Sequence, residues 1–420
     1  MRKILLSLLL AAVTSGLALA DDGKPFPHIG WRSADNLAGL DFGGALRANY
    51  RYEDWKGSNY RNPPHLRFDT FRIDSSGFYD NYFFDAGFWF QDHRKYAIDR
   101  AYVGYRFDNN NNIQLGIPGK PFGLEPYPQF GWSYGIPFYL GFGVSAGSGV
   151  NYQYHDNNWS LDVAYFPWME PENLRYAPDV GDYDRLKNTI YPTQHQQHNE
   201  KRDQVNVRIA RDFHGGGWNN ELGGSLALAR LHNRETDDDG TFWAAGVHGM
   251  LHNGPWQLTS QLIRYQYDPK NPAGVSDDTI LMGGNGLTPA YLIPAKATTA
   301  SLNVARDVDV KWGGVSKLRF YNDYSVLWKD KSGWSDSQMN TLGVQVFALP
   351  VMFWVDLSWA KNVNPWGGAL NATGWKRSTR SQACSTPRWS TRPSMAQPPV
   401  MPVNWRSVQR SRPPSRAAIS

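Results

Sequence analysis

The chain has 420 residues, 41% of them hydrophobic and 14% aromatic, with 40 Gly and a single Cys. Its formal charge is +5, but Arg2 and Lys3 supply two positive charges, and residues 376–420 hold nine Lys and Arg and no acid, which leaves −6 over residues 21–375. That body gives no support to the nucleic-acid partner a basic isoelectric point suggests, and its lack of cysteine excludes a disulfide framework and a thiolate metal site.

Met1-Arg2-Lys3 is a short positive segment, Ile4 to Val13 is apolar apart from Ser7, and Ala18-Leu19-Ala20 precedes Asp21-Asp22. This order reads as a secretory signal peptide over 1–20, because the apolar run is too short to cross a bilayer. No later stretch approaches the roughly 20 apolar residues of a spanning helix.

Short alternating segments then repeat. A first strand is predicted at 41–55, with Leu46, Ala48, Tyr50 and Tyr52 opposite Arg47, Asn49, Arg51 and Glu53. A second, 66–79, turns through Asp80-Asn81 into a third that ends at Gln91. The fourth, 98–107, shows the pattern best: Ala101, Val103, Tyr105 and Phe107 share one face, Arg100, Tyr102, Gly104 and Arg106 the other. Successive strand side chains point to opposite faces, so such a segment has one apolar and one polar wall. Asp108 to Asn112 forms a tight turn into a fifth strand carrying Ile113, Leu115 and Ile117, and a long connection follows at 119–146.

Strands at 148–156 and 158–167 precede the longest connection, 168–202. Further strands are predicted at 203–213, 219–231, 241–252 and 255–267, the last entered through Asn253-Gly254, a strong hairpin signal. The series ends with 295–308, 316–328, 336–348 and 350–361. Connections after even-numbered predicted strands are short; those after odd-numbered ones are longer. Outer-membrane barrels segregate loop length this way, and closure lets every backbone polar group pair in lipid. The expected fold is all-β: a transmembrane antiparallel up-and-down β-barrel of about 16 strands over 21–375, in the outer membrane of a Gram-negative cell.

Parity requires a sixteenth strand just after Gly374-Trp375, but 376–420 loses alternation and contains nine Ser and seven Pro. Proline cannot donate to a ladder. The closing strand is therefore expected to be missing or abnormal. A shifted reading frame explains this tail better than a disordered basic tail does, although composition permits the latter.

Leu115-Gly116-Ile117-Pro118-Gly119-Lys120-Pro121-Phe122-Gly123-Leu124-Glu125 resembles the Gly-x-x-Lys-x-Pro-Phe-x-x-Glu stretch of phosphate-selective porins of the O and P type, with a departure in the Lys-Pro spacing. Phe320 to Ser325, Ser337 to Asn340 and Val355-Asp356-Leu357 resemble late strands of related porins. The resemblance covers roughly 40–375. It implies a sixteen-stranded barrel, often trimeric, whose third external loop folds inward, and in phosphate-selective members a pore lined by Arg and Lys.

By alternation Arg47, Arg51, Arg100, Arg106 and Arg208 point inward, while Lys120 and Glu125 flank the candidate constriction loop. Charges in a narrow low-dielectric pore steer ions. The competing account is that these arginines pair with Glu53, Asp85 and Asp162 and stabilise the wall. The aromatics read as interfacial girdles rather than a sugar track. His195 and His198 lack a third metal ligand nearby, and Asp237-Asp238-Asp239-Gly240 reads as an exposed acidic turn. No nucleotide loop or nucleophile elbow occurs, and no cofactor or catalytic group is expected. The expected function is passive diffusion of small polar solutes, including anions such as phosphate, with outer-membrane lipid as the surroundings. The alternatives are an oligosaccharide channel, a barrel-borne phospholipase using His248, and a plugged structural barrel.

Overall fold

The computed structural model describes residues 29–50, 66–91, 95–125, 127, 129–169, 177–180, 197–215, 217–282, 291–363 and 382–386, with 67, 95 and 382–386 described through their backbone alone. In chain order the strands are β1 (Ile29–Arg32), β2 (Ala38–Tyr50), β3 (Leu66–Tyr79), β4 (Tyr82–Gln91), β5 (Lys95–Arg106) and β6 (Asn111–Ile117). After a single-turn helix α1 (Ile136–Tyr139) come β7 (Gly149–His155), β8 (Trp159–Trp168), β9 (Asn199–Gly215), β10 (Trp218–Asn233), β11 (Asp239–Asn253) and β12 (Trp256–Asp268). The chain continues through β13 (Thr279–Met282), β14 (Tyr291–Pro294), β15 (Lys296–Trp312), β16 (Val315–Lys329), β17 (Ser337–Ala348), β18 (Val351–Lys361) and β19 (Gln382–Thr386).

Seventeen of these strands form one sheet, and β13 and β14 make a separate hairpin. Each strand of the large sheet pairs antiparallel with its neighbour in chain order, β12 passing directly to β15. Connections on one end of the sheet have two to five residues; those on the other include 118–148 and 169–198, with the three-residue 92–94 the shortest.

Alternation gives the wall two characters. On β9, Val205 and Ile209 are exposed outward while Gln204, Asn206 and Arg208 are buried inside. On β15, Leu302 faces out between buried Ser301 and Asn303. The outer face carries Leu46, Ile73, Val103, Leu115, Ile209 and Leu222 at mid-height. Exposed aromatics stand at both margins: Tyr79, Tyr82, Trp159, Trp218 and Trp256 beside the short turns, and Phe68, Tyr96, Trp168, Trp328 and Trp359 towards the long loops. An apolar band between two aromatic girdles is the surface of a barrel that crosses a bilayer. No helix among the described residues is long and apolar enough to cross a membrane.

The sheet curls so that strands from opposite ends of the chain meet one interior residue. Trp132, between β6 and β7, lies under the Arg47 guanidinium of β2, 4.0 Å from its ring centroid, and 5.9 Å from the Trp354 ring of β18.

The predicted strands all have observed counterparts. The chain adds β1, which pairs with β2 through Ile29↔Phe42 to Arg32↔Gly39, and the β13–β14 hairpin between the strands predicted at 255–267 and 295–308. The closing strand, expected just after Trp375 to be missing or abnormal, is a short ladder of five residues: Gln382 to Thr386 pairs with Ala360 to Asp356. Pro387 follows at once and has no N–H to continue it.

Candidate functional site

The connection 119–146 turns into the barrel and crosses it. Its first half is held by β9, β10 and β12: the Asn206 amide donates to the Pro121 carbonyl (3.1 Å), Arg208 Nε to the Gly123 carbonyl (2.8 Å), and the Gly123 N–H to Ser225 Oγ (2.9 Å). Gly123 has φ +67°, and a Cβ there would sit 2.7 Å from Gln261 Oε1, so this close approach requires glycine.

The second half is held by the opposite wall. Asp323 of β16 accepts the N–H groups of Gly131 (2.7 Å) and Phe130 (3.3 Å). Ser325 Oγ accepts the Ile136 N–H (3.0 Å), and Asp356 of β18 accepts the Ser133 N–H (3.0 Å) and the Tyr321 hydroxyl. These side chains satisfy donors that an irregular buried backbone would otherwise leave unpaired.

Around α1 a dry cluster forms. Phe122, Ile136, Phe138, Leu140 and Phe142 pack with Tyr265, Tyr267 and Leu327 of the wall and with Val180, Ile280, Met282, Tyr291 and Ile293 from two other long connections. Tyr291 donates to the Tyr139 carbonyl (2.6 Å), and Val180 bridges to Met282. The loop is therefore fastened by apolar burial on the β12–β17 side and by hydrogen bonds at both ends.

The interior charges form three groups. On the β2–β5 wall, Arg72 binds Asp74 (2.6 Å) and Arg100 binds Asp85 (2.8 Å), Asp99 (2.7 Å) and Asp74 (3.4 Å), two cations among three acids. Arg47 beside them pairs with Asp69. At the loop entrance Lys120 and Lys201 share Asp179, at 3.0 and 2.8 Å. Between these groups Arg208 binds Glu221 (2.6 Å), and Glu221 also takes His248 Nε2 (2.9 Å).

Each sequence-predicted site residue can now be placed. Arg47, Arg100 and Arg208 face the interior and are each bound to a carboxylate, with side chains only 6%, 11% and 6% exposed. Arg106 is half-buried with its guanidinium 4.4 Å from the Phe83 ring centroid. Lys120 is buried against Asp179 and Gln204, and Glu125 is exposed within the loop, its Oε1 accepting the Phe122 N–H (3.0 Å). Arg51 and Glu53 lie outside the described residues, as does His195. The pairing of Arg100 with Asp85 is the wall-stabilising arrangement weighed above; Asp162 instead engages His155 (3.1 Å).

Glu125 reaches open space but has protein on its other sides. Loss of hydration raises its carboxyl to about 7 against the pull of Arg208, with Asp162 and Glu221 pushing in the same direction as dehydration. Sequence reasoning did not single out Arg72, Asp74, Asp99, Lys201 or Glu221, nor Asp323 and Asp356 as loop anchors. Inward parity among neighbours such as Thr70, Ser325 and Ser358 was the available signal.

Arg208→Met is expected to lower the temperature at which the folded barrel converts to its unfolded gel mobility. The variant leaves the Glu221 carboxylate with His248 alone and strands the Gly123 carbonyl, and each hydrogen bond to a charged group is worth about 1.5–3 kcal/mol. An unchanged transition would remove Arg208 from the stabilising network.

Among solved structures the chain is similar in fold to the outer-membrane channel DcaP of Acinetobacter baumannii, at 13% identity over 86% of this chain and 98% of that one, with a TM-score of 0.55. It is also similar to Salmonella typhi OmpF in complex with daunomycin (12%, 86% and 100%, TM-score 0.54) and to an anion-selective porin from Comamonas acidovorans (13%, 84% and 99%, TM-score 0.53). No family model and no curated protein sequence matches the chain.

Proposed function

We propose that this chain is a non-enzymatic outer-membrane porin that lets small hydrophilic solutes diffuse down their gradients. The observation that carries the reading is the two-faced wall, apolar outside and polar inside, with one long connection drawn across the interior to set a narrow passage. The fold neighbours named above, outer-membrane channels and porins by description, support the same reading and the same cellular location.

Ion selectivity follows from which charges remain uncompensated. The arginines that would attract phosphate or other anions each hold an acid, and Glu125 stands open beside them. A passage of mixed charge admits small anions among other polar solutes without a single-sign filter. Phosphate preference and an oligosaccharide track both draw less support than this general passage. His248, required outward by a lipid-hydrolysing barrel, is buried inside against Glu221 and Arg208, which favours the non-enzymatic reading. The dry cluster around α1 favours one other reading, a structural barrel closed by its own loops.

Planar-bilayer recording decides. The full chain is expected to give discrete conductance steps and a small reversal potential in a KCl gradient. Absence of conductance would leave the closed structural barrel, and strong anion selectivity would overturn the mixed-charge passage. Lowering the pH from about 8 to about 6 protonates Glu125, whose carboxyl sits at about 7, so anion permeability relative to cation should rise. Glu125→Gln should flatten that dependence while Arg208, Asp162 and Glu221 stay in place. The trimer implied by the family resemblance is checked on the same preparation by its mass in detergent.

A further inference from the structure

Charge on the outer wall is sparse and unevenly compensated. Towards the long loops, Arg230 pairs with Asp203 and Asp239, and Arg264 pairs with Asp330. Towards the short turns, Arg211 and Arg306 also face outward, in line with Ile209 and Leu302 respectively, and both are exposed. Among the described residues neither makes an ion pair.

The two sites are built alike. Trp159, the first residue of β8 after a short turn, lies directly across from Arg211 of β9, with the guanidinium 5.3 Å from its ring centroid and 4.9 Å from that of Phe213. Trp256, the first residue of β12 after a short turn, lies directly across from Arg306 of β15, at 5.3 Å. The other flank is apolar in both cases, Leu222 beside Arg211 and Phe320 beside Arg306. Each guanidinium therefore rests on a tryptophan at girdle height, with hydrocarbon-facing side chains above it.

A cation at that depth loses water on its apolar side and gains most from an anion at the membrane surface. A planar guanidinium fits two phosphate oxygens at once, which an ammonium cannot do. The sites open sideways onto the lipid, not into the lumen, so the phosphate they meet belongs to a lipid headgroup.

We propose that Arg211 and Arg306 each bind the phosphodiester of a glycerophospholipid in the leaflet on the short-turn side, an inference that rests on the membrane-spanning reading above. The lipid lies with its phosphate on the guanidinium and its acyl chains over Ile209 and Leu222 at one site and over Leu302 and Phe320 at the other. Annular lipid is ordered there and not at the long-loop margin, where Asp203, Asp239 and Asp330 already occupy the arginines.

Native mass spectrometry of the full chain in nonionic detergent tests this, with dimyristoyl phosphatidylglycerol as the probe and a diacylglycerol of the same chains as the arm without phosphate. The wild type should retain the phospholipid and not the diacylglycerol. Arg211→Gln with Arg306→Gln should lower the bound fraction at limiting lipid about tenfold, as expected for loss of a charge-assisted contact. Arg211→Lys with Arg306→Lys should fall between, and Arg230→Gln with Arg264→Gln should leave binding unchanged. Equal retention by the double Gln variant, or displacement of the lipid by millimolar inorganic phosphate, would overturn the proposal. Each preparation is also inserted into a planar bilayer. Insertion without the lipid difference sinks the headgroup sites alone, and failure of the wild type to insert sinks the membrane-spanning reading together with them.

Discussion

Asp323→Ala combined with Asp356→Ala is expected to raise single-channel conductance and to make the interior loop accessible to protease. These two carboxylates accept three backbone N–H groups of the loop, from Phe130, Gly131 and Ser133. Each charge-assisted bond contributes about 1.5–3 kcal/mol, and the abandoned N–H groups add a desolvation cost if they stay buried. The loop half carrying Trp132 then gains more by leaving the wall than by staying. The half near Gly123 should remain seated, because Ser225, Asn206 and Arg208 still hold it. Asp323→Asn keeps an acceptor oxygen and should show a smaller rise, which separates loop release from general loosening of the barrel. If the double alanine variant folds to a heat-resistant band and conducts as the wild type does, the loop does not limit conductance. Gly131→Ala should act in the same direction, since its Cβ would meet Asp323 Oδ2 and the Tyr321 ring, both at 2.9 Å.

Replacing residues 376–420 with an alternating strand of eleven residues is expected to raise the heat resistance of the folded protein on a gel. β17 and β18 share eleven registered pairs, whereas β18 and β19 share five, from Asp356 to Ala360. Among the described residues, Val351 to Val355 thus have ladder partners on the β17 side and none from β19. Backbone polar groups left open to hydrocarbon cost several kcal/mol each, so extending the ladder over even a few of them outweighs most single side-chain changes. The expectation follows from the shortness of the β18–β19 ladder. Equal heat resistance of the two proteins would show that the five-pair ladder does not limit stability.

The strands were legible because period-two alternation survives in nearly every one. Ala101, Val103 and Tyr105 against Arg100, Tyr102 and Gly104 give away β5 without help from neighbours. The boundaries slip where ladders run past the alternating core: β9 begins at Asn199, four residues before the predicted 203, and β15 ends at Trp312, four after 308. β1 escaped because four residues cannot establish a period. The β13–β14 hairpin escaped because all of Thr279 to Met282 is buried, so no polar positions alternate with apolar ones.

The interior was legible in direction and not in partnership. Arg47, Arg100 and Arg208 could be assigned to the inward face by parity alone. Their partners depend on register between strands and on where the loop lies. Asp74 reaches Arg100 from β3, two strands away, and Asp179 reaches Lys120 from a different long connection. Asp323 and Asp356 lie in segments singled out by resemblance, yet their partners are backbone groups 192 to 223 residues upstream, which no local pattern announces.

That distance orders events in time. Trp132 is synthesised long before its seat: the Gly131, Ser133 and Phe130 contacts span 192, 223 and 224 residues. Loop closures of such span are slow and late. An unfinished barrel lacking β16 to β18 would therefore hold only the Gly123 half of the loop, and the Trp132 half is seated as the wall is completed. The last strands to be made thus also fix the Trp132 half of the loop, and pulse-labelling should show residues 130–133 becoming protected with β16 and never before it.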